Sequence, residues 1–190
     1  MDRLPLVILL AACDGGAKPS APATSPSRVD AIAAAPKKAA STGDFCESRP
    51  NLPFAFPELD SPVPGTGSGW RWVNVWATWC GPCVEEMPRV AAWEQKLTAD
   101  GAPVDVQFLS VDAAADDVTK FRASHPSTPE SVRIKDLSLL SPWLKSVGQD
   151  DSAVLPLHLF VNPEGNIACA RMGAVNDTDY EVVKAVLSGK

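Results

Sequence analysis

The feature that most constrains this chain is a pair of cysteines, two residues apart, where one kind of pattern gives way to another. Trp72-Val73-Asn74-Val75-Trp76-Ala77 is β-branched and aromatic and follows a glycine-rich stretch, Gly65 to Gly69, so it reads as a buried strand. From Cys83 to about Ala99 apolar residues recur at helical spacing, among them Val84, Met87, Val90, Ala91 and Leu97. Trp79-Cys80-Gly81-Pro82-Cys83 lies at the junction. A helix N-terminus presents unpaired N–H groups and a partial positive charge, which favour a thiolate over a thiol, and Cys80 sits where that field is strongest. Pro82 suits the first turn, where a missing N–H is no loss. Cys83, one turn further in, is expected to be more buried and placed to attack a disulfide formed at Cys80.

Downstream the two periods alternate. Val104 to Val111 reads as a strand, Asp116 to about Ser124 as a short helix, Ser131 to Ile134 as a short strand, and Leu137 to Val147 as a helix with Pro142 in its first turn. Leu157–Val161 and Ile167–Arg171 flank Asn162-Pro163-Glu164-Gly165-Asn166, the pattern of a β-hairpin. Asp179 to Leu187 is the expected closing helix. Strands alternating with helices and ending in a hairpin predict an α/β domain with a central mixed β-sheet covered by helices on both faces.

A length of 190 residues, 45% of them hydrophobic, provides one ordinary domain and some extra chain. A net charge of −6 and no basic cluster beyond Lys37-Lys38 argue against nucleic acid as a partner. Two histidines are too few for a His-rich metal centre, and no metal or cofactor is expected. At the start, Leu4 to Leu10 is an apolar run too short to span a bilayer, which takes roughly 20 residues. It ends in Leu10-Ala11-Ala12-Cys13, which resembles the lipobox of bacterial lipoproteins. That resemblance implies a signal peptide over 1–12, lipidation of Cys13, and a membrane anchor in the cell envelope facing the periplasm. Residues 14–43 are mostly Ala, Pro, Ser, Thr, Gly and Lys and read as a tether, so the expected division is 13–43 anchor and tether, 44–190 folded domain.

Trp79-Cys80-Gly81-Pro82-Cys83 resembles the active site of the thioredoxin superfamily. Pro88, five positions after Cys83, matches the helix-kinking proline of that superfamily, and Leu155-Pro156 matches the loop whose cis-proline faces the cysteine pair. Trp76-Ala77-Thr78-Trp79, Glu85-Glu86-Met87-Pro88 and the segment from Leu155 to Ile167 are similar to the TlpA/ResA-like branch, membrane-tethered thioredoxins of the bacterial envelope. The resemblance runs from about Asn51 to the C-terminus. It implies a thioredoxin fold with an inserted helix-strand segment, and a thiol-disulfide oxidoreductase, expected to be a protein-disulfide reductase. Cys80 would be the nucleophile and Cys83 the resolving thiol, with Trp79, Gly81, Pro82, Leu155 and Pro156 contacting an extended substrate. The implied partners are disulfide-bearing proteins, apocytochrome c among them in cytochrome c biogenesis, and a membrane electron donor of the DsbD/CcdA type. The protein is expected to act as a monomer.

Two positions depart from the superfamily. Where thioredoxins carry a buried aspartate, six before the first cysteine, this chain has Asn74, which cannot titrate. In the ResA-like branch the resemblance assigns the proton-accepting part to a glutamate three after the second cysteine, here Glu86, on the same helix face as Cys83. Glu85 beside it is the alternative solvated first-turn acid. His158, two past Pro156, stands where a small or hydroxyl residue is usual; it reads either as a charge favouring the thiolate when protonated or as a hydrogen-bonded filler. With Cys13, Cys80 and Cys83 assigned, Cys46 and Cys169 form an even remainder that suggests a structural disulfide, against two unpaired buried thiols. The rival functions are a copper-binding protein holding Cu(I) through Cys80, Cys83 and His158, and a disulfide oxidase or isomerase using the same motif.

Overall fold

In the computed structural model, which describes residues 41–63, 67 and 69–189, β1 (Trp70–Trp76) is the central strand of a five-stranded sheet. The signal segment, Cys13 and the tether up to residue 40 lie outside the described residues. From β1 the chain crosses through α2 (Gly81–Ala99) to β2 (Val104–Ser110), which runs parallel to it, and then through α3 (Ala115–Ser124) to β3 (Ser131–Arg133), parallel again and at the sheet edge. Parallel neighbours need such crossovers. On the other side β4 (Leu157–Val161) and β5 (Ile167–Met172) form an antiparallel hairpin beside β1. The order β3-β2-β1-β4-β5, with helices over both faces, is the mixed sheet that the alternation of periods predicts.

Register decides what each face carries. Trp72 opposes Phe160 and Asn74 opposes His158 across β1 and β4; Phe160 opposes Cys169 and His158 opposes Arg171 across β4 and β5. Directly opposed residues share a face. This face meets α2, where Trp93 lies 6.2 Å from Trp72, and the closing helix α5 (Tyr180–Val186), whose Tyr180 ring stands edge-on to Trp93 at 5.2 Å. The opposite face presents Val73, Val75, Leu157 and Leu159, all buried, and α4 (Leu140–Ser146) approaches Val75 and Leu157. Each large apolar side chain taken fully out of water contributes about 1.5–3 kcal/mol.

Three boundaries differ from the pattern reading, each for a local reason. Ser41 already caps a four-residue helix, α1 (Thr42–Phe45), where tether was expected up to residue 43. Its composition is tether-like, but the Phe45 ring packs 6.0 Å from Phe160 and Arg49 donates to the Thr42 carbonyl. The helix expected over 137–147 begins instead as a 3-10 turn, Leu137–Leu139, capped by Asp136; Pro142 has no N–H to close an α-helical bond back to residue 138. A 3-10 turn, Asp177–Asp179, likewise precedes α5, started by Asn176, whose backbone N–H donates to Asp179 while its side chain accepts from Thr178.

Both sheet edges are covered. Residues 48–53 run along β5, with Ser48 bridging to Ala170 on it and Pro53 to Asn166 just before it, and Leu59 bridges to Ile134 beyond β3. Between them Ala55 accepts a 2.8 Å hydrogen bond from the Trp143 indole of α4. A disulfide joins Cys46, at the C-terminus of α1, to Cys169 on β5, closing 123 residues of sequence. Such a crosslink restricts the unfolded chain.

Replacing Cys46 and Cys169 together by Ala is expected to lower unfolding free energy by about 4–5 kcal/mol, read by urea titration without reductant; a loss below about 1 kcal/mol would show that the bond constrains little. A second expectation concerns Tyr180, the chain's one tyrosine. Burial, and then its hydrogen bond to Asp100, push its hydroxyl up to about 12. The unfolded value is about 10, so this contribution to stability is full below that pH and lost as the pH rises through about 12. Ultraviolet titration of the folded chain should show no phenolate near pH 10; a midpoint there would contradict the burial.

Candidate active site

Cys80 is the N-cap of α2, with Gly81 and Pro82 as its first two residues. The pair is present as the disulfide Cys80–Cys83. Cys80 Sγ accepts the Cys83 backbone N–H at 3.3 Å, and the Cys80 carbonyl accepts from Val84 at 3.1 Å. The sulfur therefore occupies the place of a capping oxygen, where a negative charge is favoured by the helix dipole and the free N–H groups. Cys83 is fully buried and Cys80 nearly so, while Gly81 and Pro82 are exposed and Trp79 is 71% exposed. The Leu155–Pro156 peptide is cis. Leu155 and Trp79 share the wall of an apolar cleft of about 260 Å³ with Val75, Ala113, Leu137 and Leu140. Of the four large apolar side chains exposed among the described residues, Trp79 and Leu137 line this cleft, and Val154 lies in sequence between two of its lining residues, Ala153 and Leu155, as at a surface built to meet another apolar one.

The two first-turn acids separate cleanly. Glu85 is exposed and Glu86 is wholly buried, on the same side of α2 as Cys83. Glu86 Oε1 accepts from Asn74 Nδ2 at 2.6 Å, and Oε2 accepts from the Val175 backbone N–H at 2.7 Å. Arg89, one turn further along α2, ties down the segment that supplies this N–H, pairing with Asp177 at 2.7 Å and donating to the Val175 carbonyl at 3.1 Å. Asn74, expected to be only a position that cannot titrate, is thus a donor to the carboxylate. His158 is buried beside it. Its Nδ1 accepts from the Trp72 indole at 3.1 Å and lies 3.3 Å from Asn74 Nδ2, while Nε2 is 3.4 Å from Glu86 Oε1. Its nitrogens are therefore turned to Trp72, Asn74 and Glu86, an arrangement that leaves no lone pair for a metal shared with the cysteines.

One residue that pattern reading did not single out holds the cysteine loop. Asp112, just past β2, is 1% exposed, and its carboxylate takes the Thr78 N–H at 3.1 Å, the Thr78 hydroxyl at 2.7 Å and the Ser110 hydroxyl at 2.7 Å. Its carbonyl accepts from Arg133, which pairs with Asp60. Thr78 lies two residues before Cys80, so Asp112 fixes the approach to the pair. The only sequence signal was an acid directly after the expected strand Val104 to Val111.

No family model matches the chain. The thiol-disulfide oxidoreductase ResA of Bacillus subtilis is 26% identical over 106 residues, 56% of this chain and 54% of that protein; the chain thus spans about half the length of this curated relative. A thioredoxin-related protein from Neisseria meningitidis serogroup B is similar in structure with a TM-score of 0.54 and 27% identity, over 66% of this chain and 89% of that one. The thioredoxin domain of a thiol-disulfide oxidoreductase from Bacteroides vulgatus superposes with a TM-score of 0.51 at 19% identity, covering 63% and 80%, a likeness of fold.

Asp112→Ala is expected to destabilise the chain by about 3 kcal/mol, because it strands the Thr78 N–H and the Ser110 hydroxyl without acceptors. Chemical denaturation measures this, and an Asp112→Asn variant retaining part of the network should lose less. Equal stability of the alanine variant and the parent would remove Asp112 from the account of the loop.

Proposed function

We propose that this chain, a ResA-like member of the thioredoxin superfamily, is an extracytoplasmic thiol-disulfide oxidoreductase that works as a protein-disulfide reductase. The observation that carries the reading is the Cys80–Cys83 disulfide set as the N-cap of α2 beside an exposed apolar cleft. In the reduced protein Cys80 attacks a substrate disulfide, a new S–S bond forms between Cys80 and one substrate sulfur, and the other leaves as a thiolate. Cys83 gives its proton to Glu86 and attacks Cys80 Sγ. The mixed disulfide breaks, the second substrate sulfur leaves as a thiolate and takes up the proton that Glu86 gives back, and Cys80–Cys83 is oxidised. Two electrons have passed from the pair to the substrate.

Substrate positioning follows from the surroundings. An extended peptide can add to the backbone at Leu155-Pro156 in the manner of a strand, with Trp79, Gly81 and Pro82 beneath its sulfur and an apolar side chain in the cleft toward Leu137. Re-reduction falls to a membrane donor of the DsbD/CcdA type, and the chain is held to the envelope through lipid on Cys13. Among the described residues no helix is long and apolar enough to cross a membrane.

Cys83→Ser is expected to accumulate mixed disulfides on Cys80, visible as adducts on non-reducing gels that vanish with reductant. Cys80→Ser should form none. The reduction potential of the pair decides direction: a value near that of the thioredoxins supports the reductase, and one near the oxidising catalysts of the periplasm would make the protein an oxidase. A Cys83→Ser chain that captures nothing would count against the whole reading.

A further inference from the structure

His158 is a buried titratable side chain that the mechanism above does not use. Side chains of this kind carry hydrogen bonds on both ring nitrogens or leave one as an unexplained loss. Here Nδ1 faces two donors, the Trp72 indole N–H at 3.1 Å and the Asn74 amide at 3.3 Å. An indole nitrogen can only donate, so Nδ1 must be the bare, accepting nitrogen and the ring proton sits on Nε2. That assignment comes from the hydrogen-bond network. Nε2 is buried without a hydrogen-bond partner, and the acceptor in front of it is Glu86 Oε1 at 3.4 Å. Asn74 points the same way: its Oδ1 is left without a partner while its Nδ2 serves Glu86 and His158. The charged groups facing His158 are Glu86 from α2 and, across the β4–β5 pair, Arg171, whose guanidinium lies 4.6 Å from the Phe45 ring centre; β1 contributes Trp72 and Asn74, neither of which titrates.

We propose that His158 is a positioning residue for Glu86: neutral, with its tautomer fixed by Trp72, it aims Nε2–H at Oε1 and closes on it when the carboxylate is charged. Hydrogen bonds of this kind are often long in a resting structure and tighten on reaction. Of the two readings that the sequence leaves open for His158, the protonated one does not fit, because a proton on Nδ1 would face the Trp72 N–H. The consequence falls on one step. When Cys83 transfers its proton to Glu86 and its thiolate displaces the substrate sulfur from Cys80, His158 together with Asn74 and Val175 sets how readily the carboxylate stands charged beforehand. This rests on the reading of Cys80, Cys83 and Glu86 given above and adds to it a side chain on β4.

The test uses the reduced full chain and 5,5′-dithiobis(2-nitrobenzoate) in stopped flow, where attack by Cys80 releases one coloured thiolate and resolution by Cys83 releases the second. In His158→Leu the second phase is expected to slow about tenfold relative to the first, and the pH at which it reaches half its maximum to rise by about one unit, the worth of one lost hydrogen bond to a charged group. His158→Gln, which restores an N–H donor, should recover most of both. With Glu86→Gln already in place, the histidine substitutions should change the second phase no further. Nitrogen-15 NMR of the unsubstituted chain should show His158 with Nε2 protonated and Nδ1 bare, and this reading stands even if His158→Leu fails to fold. A proton on Nδ1, or a second-phase profile in His158→Leu that overlays the parent, would overturn the proposal. If the parent releases no second thiolate, the redox reading itself fails.

Discussion

A carboxylate with no solvent exposure sits one turn behind the second cysteine, and the arrangement of the domain follows from keeping it there. A charge withdrawn from water is costly by several kcal/mol unless donors replace the solvent. Glu86 has two, and they come from different parts of the chain: Asn74 from the central strand, and the Val175 N–H from the connection between β5 and α5. Neither works unless α2 lies over β1 at the right height and the β5–α5 connection folds back against α2. Arg89 secures the second condition from the same helix, through Asp177 and the Val175 carbonyl. A helix that slid by one turn would strand both donors and the carboxylate together. The polar contacts thus fix a register that apolar packing of Trp93 on Trp72 would leave softer.

The parts of this design that repeat along the chain were legible in the sequence, and the parts that exist only across it were not. Val73, Val75, Leu157 and Leu159 announce strands by their period, and the segment from Cys83 to about Ala99 announces its helix by spacing, with Pro82 suiting its first turn. The family pattern pointed to Glu86 over Glu85, and burial of one with exposure of the other fits helix geometry. Asn74 was visible only as a missing titratable group; its role as donor depends on which atom of α2 it meets. Asp112 follows β2 by two residues, and nothing in its neighbours says that Thr78, 34 positions earlier, will offer it two donors. Thr42 and Gly43 looked like tether because so short a segment carries no period, and only the docking of Phe45 on Phe160 makes the turn they begin part of the fold.

The level at which the polar groups lie matters as much as their identity. Asn74, His158 and Arg171 form one row across β1, β4 and β5, and the next row away from the cysteines is Trp72, Phe160 and Cys169. The second row is apolar except for the Trp72 indole N–H, which it directs up to His158. Large rings beneath the polar row keep water out from that side, with Trp72 and Phe160 at 0% exposure, and in a site without water each hydrogen bond and charge acts over a lower dielectric. The same row that seals the site therefore orients it. A phenylalanine at 72 would still fill much of the space but would leave Nδ1 of His158 without its indole donor, so the choice of tryptophan here is electrostatic as well as steric. Packing and the orientation of His158 are consequently one arrangement: the aromatic layer that stabilises the sheet also turns Nε2 of His158 toward the carboxylate of Glu86.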